Sequence, residues 1–222
     1  MRGGRRSPRH RRCEAPSQGE VNRGHARPEN PRGADDRVTI ADPLHADAVA
    51  VLSRWAAPSP EQDRLRRDYL DVLDTRPDAM RRACVPAHLT GSAIVVDPAA
   101  GRVLLLLHAK AGLWLQAGGH CEDGDGSLAA TALREATEES GIAGLRLGAG
   151  GRPVQLDRHP APCRPGVVEH HLDVQYVALA PAGAVAAISD ESNDLGWFGY
   201  DDLPQPLGGG VVELIAAARA AL

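Results

Sequence analysis

Apolar positions along this chain change their period several times, and the changes divide it. Residues 1–37 hold almost no aliphatic side chains and are rich in Arg, Pro, Gly, Ser and Asn. Such a segment cannot bury enough surface to offset the entropy of ordering, so a disordered tail is expected there. Residues 38–85 turn helical. "PLHADAVAVLSRW" puts Leu44, Ala48, Val51, Leu52 and Trp55 on one stripe. "SPEQDRLRRDYLDVLDT" offers Ser59 as N-cap, Pro60 at the first helical position, and Leu65, Tyr69, Val72 and Leu73 as its apolar face. A third helix before Cys84 would complete a helical N-terminal extension packed on the body.

From residue 86 to 222 the period shortens. "HLTGSAIVVD" and "RVLLLLHA" are aliphatic runs joined by "DPAAG", which reads as a β-hairpin, and "LWLQ" gives a short third strand running into Gly118 and Gly119. "LRLG", "RPVQLDRHPAP", "EHHLDVQYVALAP" and "DLGWFGY" read as further strands, with Leu172, Val174, Tyr176 and Val177 fitting a half-buried one. An Ala-rich helix closes the chain after three glycines. Between Ser127 and Ser140 the pattern is helical again: Leu128, Ala129, Ala132, Leu133 and Ala136 form a small apolar stripe, and Gly141 stands where a left-handed residue ends a helix. Strands, a central helix, more strands and a closing helix predict an α+β fold, an α/β/α sandwich around a mixed sheet.

Composition narrows the function. With 222 residues and 43% hydrophobic content, one catalytic-size core is expected. The longest apolar run, "VLLLLHAKAGLWL", is broken by His108, Lys110 and Gly112, well short of the roughly 18 residues of a membrane span. Cys13, Cys84, Cys121 and Cys163 form no CxxC pair and follow no secretory segment, which fits a reducing cytoplasm. Up to Arg37 ten basic residues face five acidic ones, so the tail is +5 and the rest carries -9 of the net -4. An acidic body is a poor match for a specific nucleic-acid partner.

The chemistry concentrates on the central helix. Glu135, Glu138 and Glu139 stand at i, i+3 and i+4, so three like charges share one side, with Arg134 and Glu138 an i, i+4 pair. One arginine cannot neutralise three acids. Clustered carboxylates suit Mg²⁺ or Mn²⁺, hard cations that share their shell with water and substrate phosphates. A carbonyl of the glycine pair can join that shell, and Asp123 and Asp125 add acids in the connecting loop. His108, His120, His159, His170 and His171, with Cys121 and Cys163, raise the question of zinc, but no pair has a recognised ligand spacing, so zinc is not expected. Trp114 and Trp197 are read first as core, with Trp114 near enough to the glycines for a nucleobase.

"GGHCEDGDGSLAATALREATEESGI" resembles the signature of the Nudix hydrolases: Gly, five residues, Glu, seven residues, Arg-Glu, an aliphatic, any residue, Glu-Glu, any residue, Gly, an aliphatic. "REATEESGI" matches. Upstream, Asp125 stands for the first Glu and eight residues rather than seven precede Arg134, an insertion we place at the junction of loop and helix around Gly126. The order of strands around it extends the resemblance over roughly residues 87–222.

The resemblance implies hydrolysis of a nucleoside diphosphate linked to another moiety, with Mg²⁺ (or Mn²⁺) as cofactor. It also implies roles: Glu138 and Glu139 as metal ligands, Glu135 as base or third ligand, Arg134 as orienter, and the Gly119 carbonyl in the metal shell. His120, Trp114 and Glu191 are candidates for substrate contact, and Glu169, Glu191 and Asp194 for a further acid from a later loop. The expected partner is a small nucleotide-type substrate, with no membrane partner and with a homodimer left open. Two alternatives stand beside this. One is a prenyl-diphosphate isomerase on the same fold, which would need a cysteine and glutamate pair plus metal-binding histidines; the other is a nucleotide or ADP-ribose sensor without turnover.

Overall fold

The computed structural model describes residues 42–161, 169–190 and 192–222. The expected tail at 1–37, Cys13, Cys163 and Glu191 lie outside the described residues. Helix α1, Pro43–Arg54, is capped by the Asp42 side chain, and α2, Pro60–Thr75, by Ser59, whose hydroxyl accepts from the Gln62 N–H. Their buried stripes are Leu44, Ala48 and Leu52, and Tyr69 and Leu73. No third helix follows. Arg76, held extended before Pro77, ends α2, and residues 77–83 close on themselves through i to i+3 bonds such as Arg81 N to Asp78 O.

Strand β1, Ala87–Asp97, is the centre of a mixed sheet. Its first half pairs antiparallel with β4, Ala117–His120, and its last residues with β2, Arg102–His108, the hairpin expected through Gly101. β2 also carries the short β3, Trp114–Leu115, and, on its outer edge, β8, Ser192–Gly199. On its other side β1 pairs parallel with β7, His170–Leu179, in ten-residue register from Ala87 opposite His170 to Val96 opposite Leu179. β7 in turn is flanked by β6, Gln155–Pro160, and by β5, Arg146–Leu147.

Helices cover both faces of this sheet. Helix α3, Leu128–Ser140, lies with α1 and α2 over Leu89, Ala93, Val95, Leu172, Val174 and Tyr176. Helix α4, Val211–Ala221, covers Ile94, Val96, Val103 and Val177 on the opposite face. β7 is therefore buried on both faces rather than half-buried. It read as half-buried because Asp173 and Gln175, on the α4 side, are polar yet buried. Asp173 is held there by Thr90 and Ser92, whose hydroxyls donate to its two oxygens at 2.9 and 2.6 Å. The α/β/α arrangement is the one the sequence pattern predicts.

The N-terminal helices are bonded into this body. On α2, Gln62 donates to the Leu156 carbonyl and accepts from the Leu156 N–H, so one side chain does the work of a neighbouring strand at the edge of β6. Trp55 Nε1 donates to the Pro153 carbonyl at 2.7 Å. Asp47 of α1 accepts from the N–H of Leu128, the first residue of α3. Among the described residues no helix is long and apolar enough to cross a membrane.

Candidate functional site

The site is built where β4 hands over to α3. The Ser127 hydroxyl accepts from the Ala130 N–H and Asp47 takes the Leu128 N–H, so two of the helix's first amide groups are satisfied. The helix stops at Gly141, whose φ of 64° is the left-handed turn expected there. Between these ends, glycine backbone lets the helix close on the sheet. A Cβ added to Gly91 of β1 would lie 3.1 Å from the Leu128 carbonyl and 3.2 Å from the Ala132 nitrogen. One added to Gly119 of β4 would lie 2.5 Å from Glu135 Oε1. The space a side chain would fill at Gly119 is taken by a carboxylate.

The three glutamates do not sit alike. Glu139 is only 7% exposed, on the buried stripe with Thr131, Ala132 and Ala136, and accepts from the Gly118 N–H at 2.9 Å. Glu135, one turn earlier, faces the same strand with its side chain 14% exposed. Glu138 stands at the rim, 60% exposed. The shared face expected from sequence is thus a gradient from buried to open, because the helix is rolled so that the 135/139 row meets the glycine strand.

Arg134 ties the group together. Its Nη1 donates to Glu135 Oε1 and Glu138 Oε2, both at 3.0 Å, and its Nη2 to the His120 carbonyl at 2.9 Å. Its Nε and Nη2 grip the two oxygens of Asp125, each at 3.0 Å, a two-pronged pair of the kind that fixes orientation as well as charge. Asp125 also accepts from the Thr131 hydroxyl and the Glu122 N–H. Asp125 and Gly126, around which the extra residue of the signature is expected, lie in the loop before Leu128, outside the helix. Burial raises the Asp125 carboxyl, but the Arg134 hydrogen bonds and the two other donors more than offset this and hold it below the usual carboxylate range. The same bond, foremost, pushes Arg134 above its already high range.

Other sequence candidates fall elsewhere. Trp114 is buried in the α4-side core, edge-on to Phe198 with ring centroids 5.0 Å apart. Asp194 is exposed on β8, and Glu169 is buried just before β7. The His120 ring joins a group that sequence spacing did not reveal: His88, His120 and His171, whose nearest ligand nitrogens all lie within 4.8 Å of one another. Burial, then His88, lowers His120 to about 4, and burial, then His120, lowers His171 to about 3. Next to them His159 is raised, since its 2.8 Å bond to Asp157, with Asp173 behind, outweighs burial. The available signal was that each histidine lies at or next to the end of a predicted strand, His88 among them.

All-oxygen donors on α3, a carbonyl-bearing glycine strand beside them and one orienting arginine make a surface suited to a hard divalent cation and the phosphate oxygens it attracts. Comparison with known proteins identifies the family. Residues 87–217 match the family model described as the NUDIX domain. A Caenorhabditis elegans Ap4A hydrolase, 16% identical over 60% of this chain and 95% of its own, superposes with a TM-score of 0.50 and shows the same fold. A MutT NUDIX hydrolase from Burkholderia pseudomallei is 29% identical over 59% of this chain and 97% of its own, at a TM-score of 0.45. A NUDIX-family hydrolase from Clostridium perfringens is 25% identical over 60% and 95%, at 0.45. No curated protein matches. With a family model matched over more than half its length and the family's fold around the carboxylates of α3, this chain belongs to the Nudix family.

Proposed function

We propose that this protein is a metal-dependent hydrolase that cleaves a diphosphate linkage in a nucleoside diphosphate-linked substrate, whether a nucleotide, a nucleotide sugar or a dinucleotide. One observation carries the reading: Arg134 binds Glu135 and Glu138 while the Gly118 N–H binds Glu139, and a Cβ on Gly119 would displace Glu135, so the three carboxylates meet at the glycine pair. The donor set fits Mg²⁺, with Mn²⁺ as the near substitute, because every candidate ligand atom is oxygen. Glu138, Glu139, Glu135 and the Gly119 carbonyl would hold it. When bound, such an ion draws charge from the diphosphate oxygens and lowers the pKa of water.

The chain's own groups do the rest. Glu135, mostly enclosed, takes a proton from the water that attacks phosphorus, and the leaving phosphate departs as the P–O bond breaks. Arg134, anchored by Asp125, holds Glu135 and Glu138 at their distances and fixes the His120 carbonyl beside Gly119. Buried free thiols at Cys84 and Cys121 support a cytoplasmic location. To test the reading, the full chain is incubated with Mg²⁺ and nucleoside triphosphates, ADP-ribose, NADH, dinucleoside polyphosphates and capped RNA. Release of phosphate or nucleoside monophosphate supports it, and no turnover of any compound with Mg²⁺ or Mn²⁺ sinks it.

The isomerase alternative is favoured by one observation, the clustered histidines. Cys121 weighs against it: the thiol is buried, its Sγ lies 3.9 Å from the Leu89 carbonyl, and burial pushes it up to about 11. Conversion of a prenyl diphosphate without release of phosphate would decide for that alternative.

A further inference from the structure

His88, His120 and His171 come from three different strands, and the sheet's register brings them to one point. His171 on β7 pairs with His88 on β1, and His120 on β4 pairs with Thr90, two residues further along β1. Paired residues share a face and so do residues two apart, so all three side chains project on the α4 side of the sheet. Gly119, on the neighbouring position of β4, presents the opposite face to Glu135. One strand therefore separates an oxygen-rich group on one side from a nitrogen-rich group on the other.

We propose that His88, His120 and His171 form a second cation site, one that takes a zinc-class ion rather than Mg²⁺. Their ring centroids are 4.9 to 5.2 Å apart and their ligand nitrogens within 4.8 Å. Three nitrogens around a tetrahedral zinc at about 2.05 Å stand about 3.3 Å apart, a closure that small ring rotations supply. His88, fully buried, has Nδ1 3.1 Å from the Cys84 carbonyl. A carbonyl only accepts, so Nδ1 donates to it and in the neutral ring Nε2 is the metal-binding nitrogen, the arrangement by which a second hydrogen bond orients an imidazole ligand.

The surroundings are polar as well. Thr90, Ser92 and Asp173 occupy the same face in a hydrogen-bonded group, and Glu169, nearly fully buried, acts electrostatically on His120. Edge-to-face packing alone would also hold three rings together, but it calls for apolar neighbours rather than these. Imidazole is a borderline ligand that favours zinc over Mg²⁺, so the two sites select different ions. Three protein ligands leave a further position open to water or an anionic oxygen.

The test needs no turnover, so its failure is distinct from failure of the hydrolase reading. Metal-free full-length protein in excess Mg²⁺ is titrated with Zn²⁺ by calorimetry, and Co²⁺ is added separately to read visible d–d bands. We expect one Zn²⁺ per chain and the intense absorption of tetrahedral, nitrogen-bound Co²⁺. His120→Asn and His171→Asn, at half-buried positions, should each weaken Zn²⁺ binding at least about 100-fold with the circular dichroism unchanged, while the Glu138→Gln, Glu139→Gln double variant retains it. Three results would each overturn the proposal: no saturable Zn²⁺ uptake, uptake indifferent to both histidine substitutions, or uptake lost only with the glutamates. The Co²⁺ spectrum of the unaltered protein keeps the question decidable even if a histidine variant fails to fold.

Discussion

Asp125 and Gly119 show what single residues contribute to the site. The lowered carboxyl of Asp125 means that its pairing with Arg134 stabilises the fold in full above the ordinary carboxylate range, near pH 4, and that this share is lost as pH falls through the depressed folded value. Asp125→Asn should therefore cost about 1–3 kcal/mol at neutral pH and flatten the acid limb of a stability-against-pH curve measured by urea unfolding. An unchanged acid limb would show that the pair carries no such linkage. Gly119→Ala drives a Cβ into Glu135, and turnover should fall about 100-fold with the fold retained, as read by steady-state kinetics beside circular dichroism. The spacing of Glu135, Glu138 and Glu139 was legible because helical neighbours are set locally by i, i+3 and i+4. Their unequal burial was not, since it depends on how the helix rolls against a strand. The histidine trio was illegible for the same reason in stronger form: its members are 32 and 51 residues apart in sequence and meet only through β-sheet register.

Elements depend on one another at their ends. Asp47 of α1 caps α3, so Asp47→Ala should lower stability by about 1 kcal/mol and the melting temperature by about 2–4 °C. Scanning calorimetry reads this, and a melting temperature equal to that of the unaltered protein would mean that the cap is replaced by water. Gly91→Ala sets a Cβ 3.1–3.2 Å from the backbone of α3 and should destabilise by about 1–3 kcal/mol, because backbone cannot yield as a side-chain tip can. Urea unfolding that matched the unaltered protein would show that α3 has room to shift. The helices, their caps at Ser59 and Gly141 and the β1–β2 hairpin could be read from period and punctuation, which are local signals. Residues 77–83 were expected to continue the helical pattern, but Pro77 fixes the preceding residue as extended and the following turns are short-range. The polar positions of β7 hid its two-sided burial, since Asp173 is buried with three donors on its own face, the Thr90 and Ser92 hydroxyls and the Gln175 amide.

At the scale of the whole molecule, a mixed sheet between helical layers offers two chemistries on opposite faces of β4: carboxylates toward α3, imidazoles toward α4. Layer order was readable from the alternation of strand and helix patterns, whereas the division of each face into apolar and polar halves required the pairing of β1 with both β4 and β7. The helical extension is bonded to the edge of β6 and to the start of α3, so it supports the site from outside the region the family model matches. The account rests most heavily on the carboxylates of α3 holding the ion that hydrolysis needs. Its most direct test is turnover against Mg²⁺ concentration, using the best substrate of the panel, for the unaltered protein and for Glu138→Gln and Glu139→Gln. Saturable dependence on Mg²⁺, with at least about a 100-fold loss of kcat in each variant and an unchanged fold, is the predicted result. Turnover that proceeds equally well in both variants would contradict it.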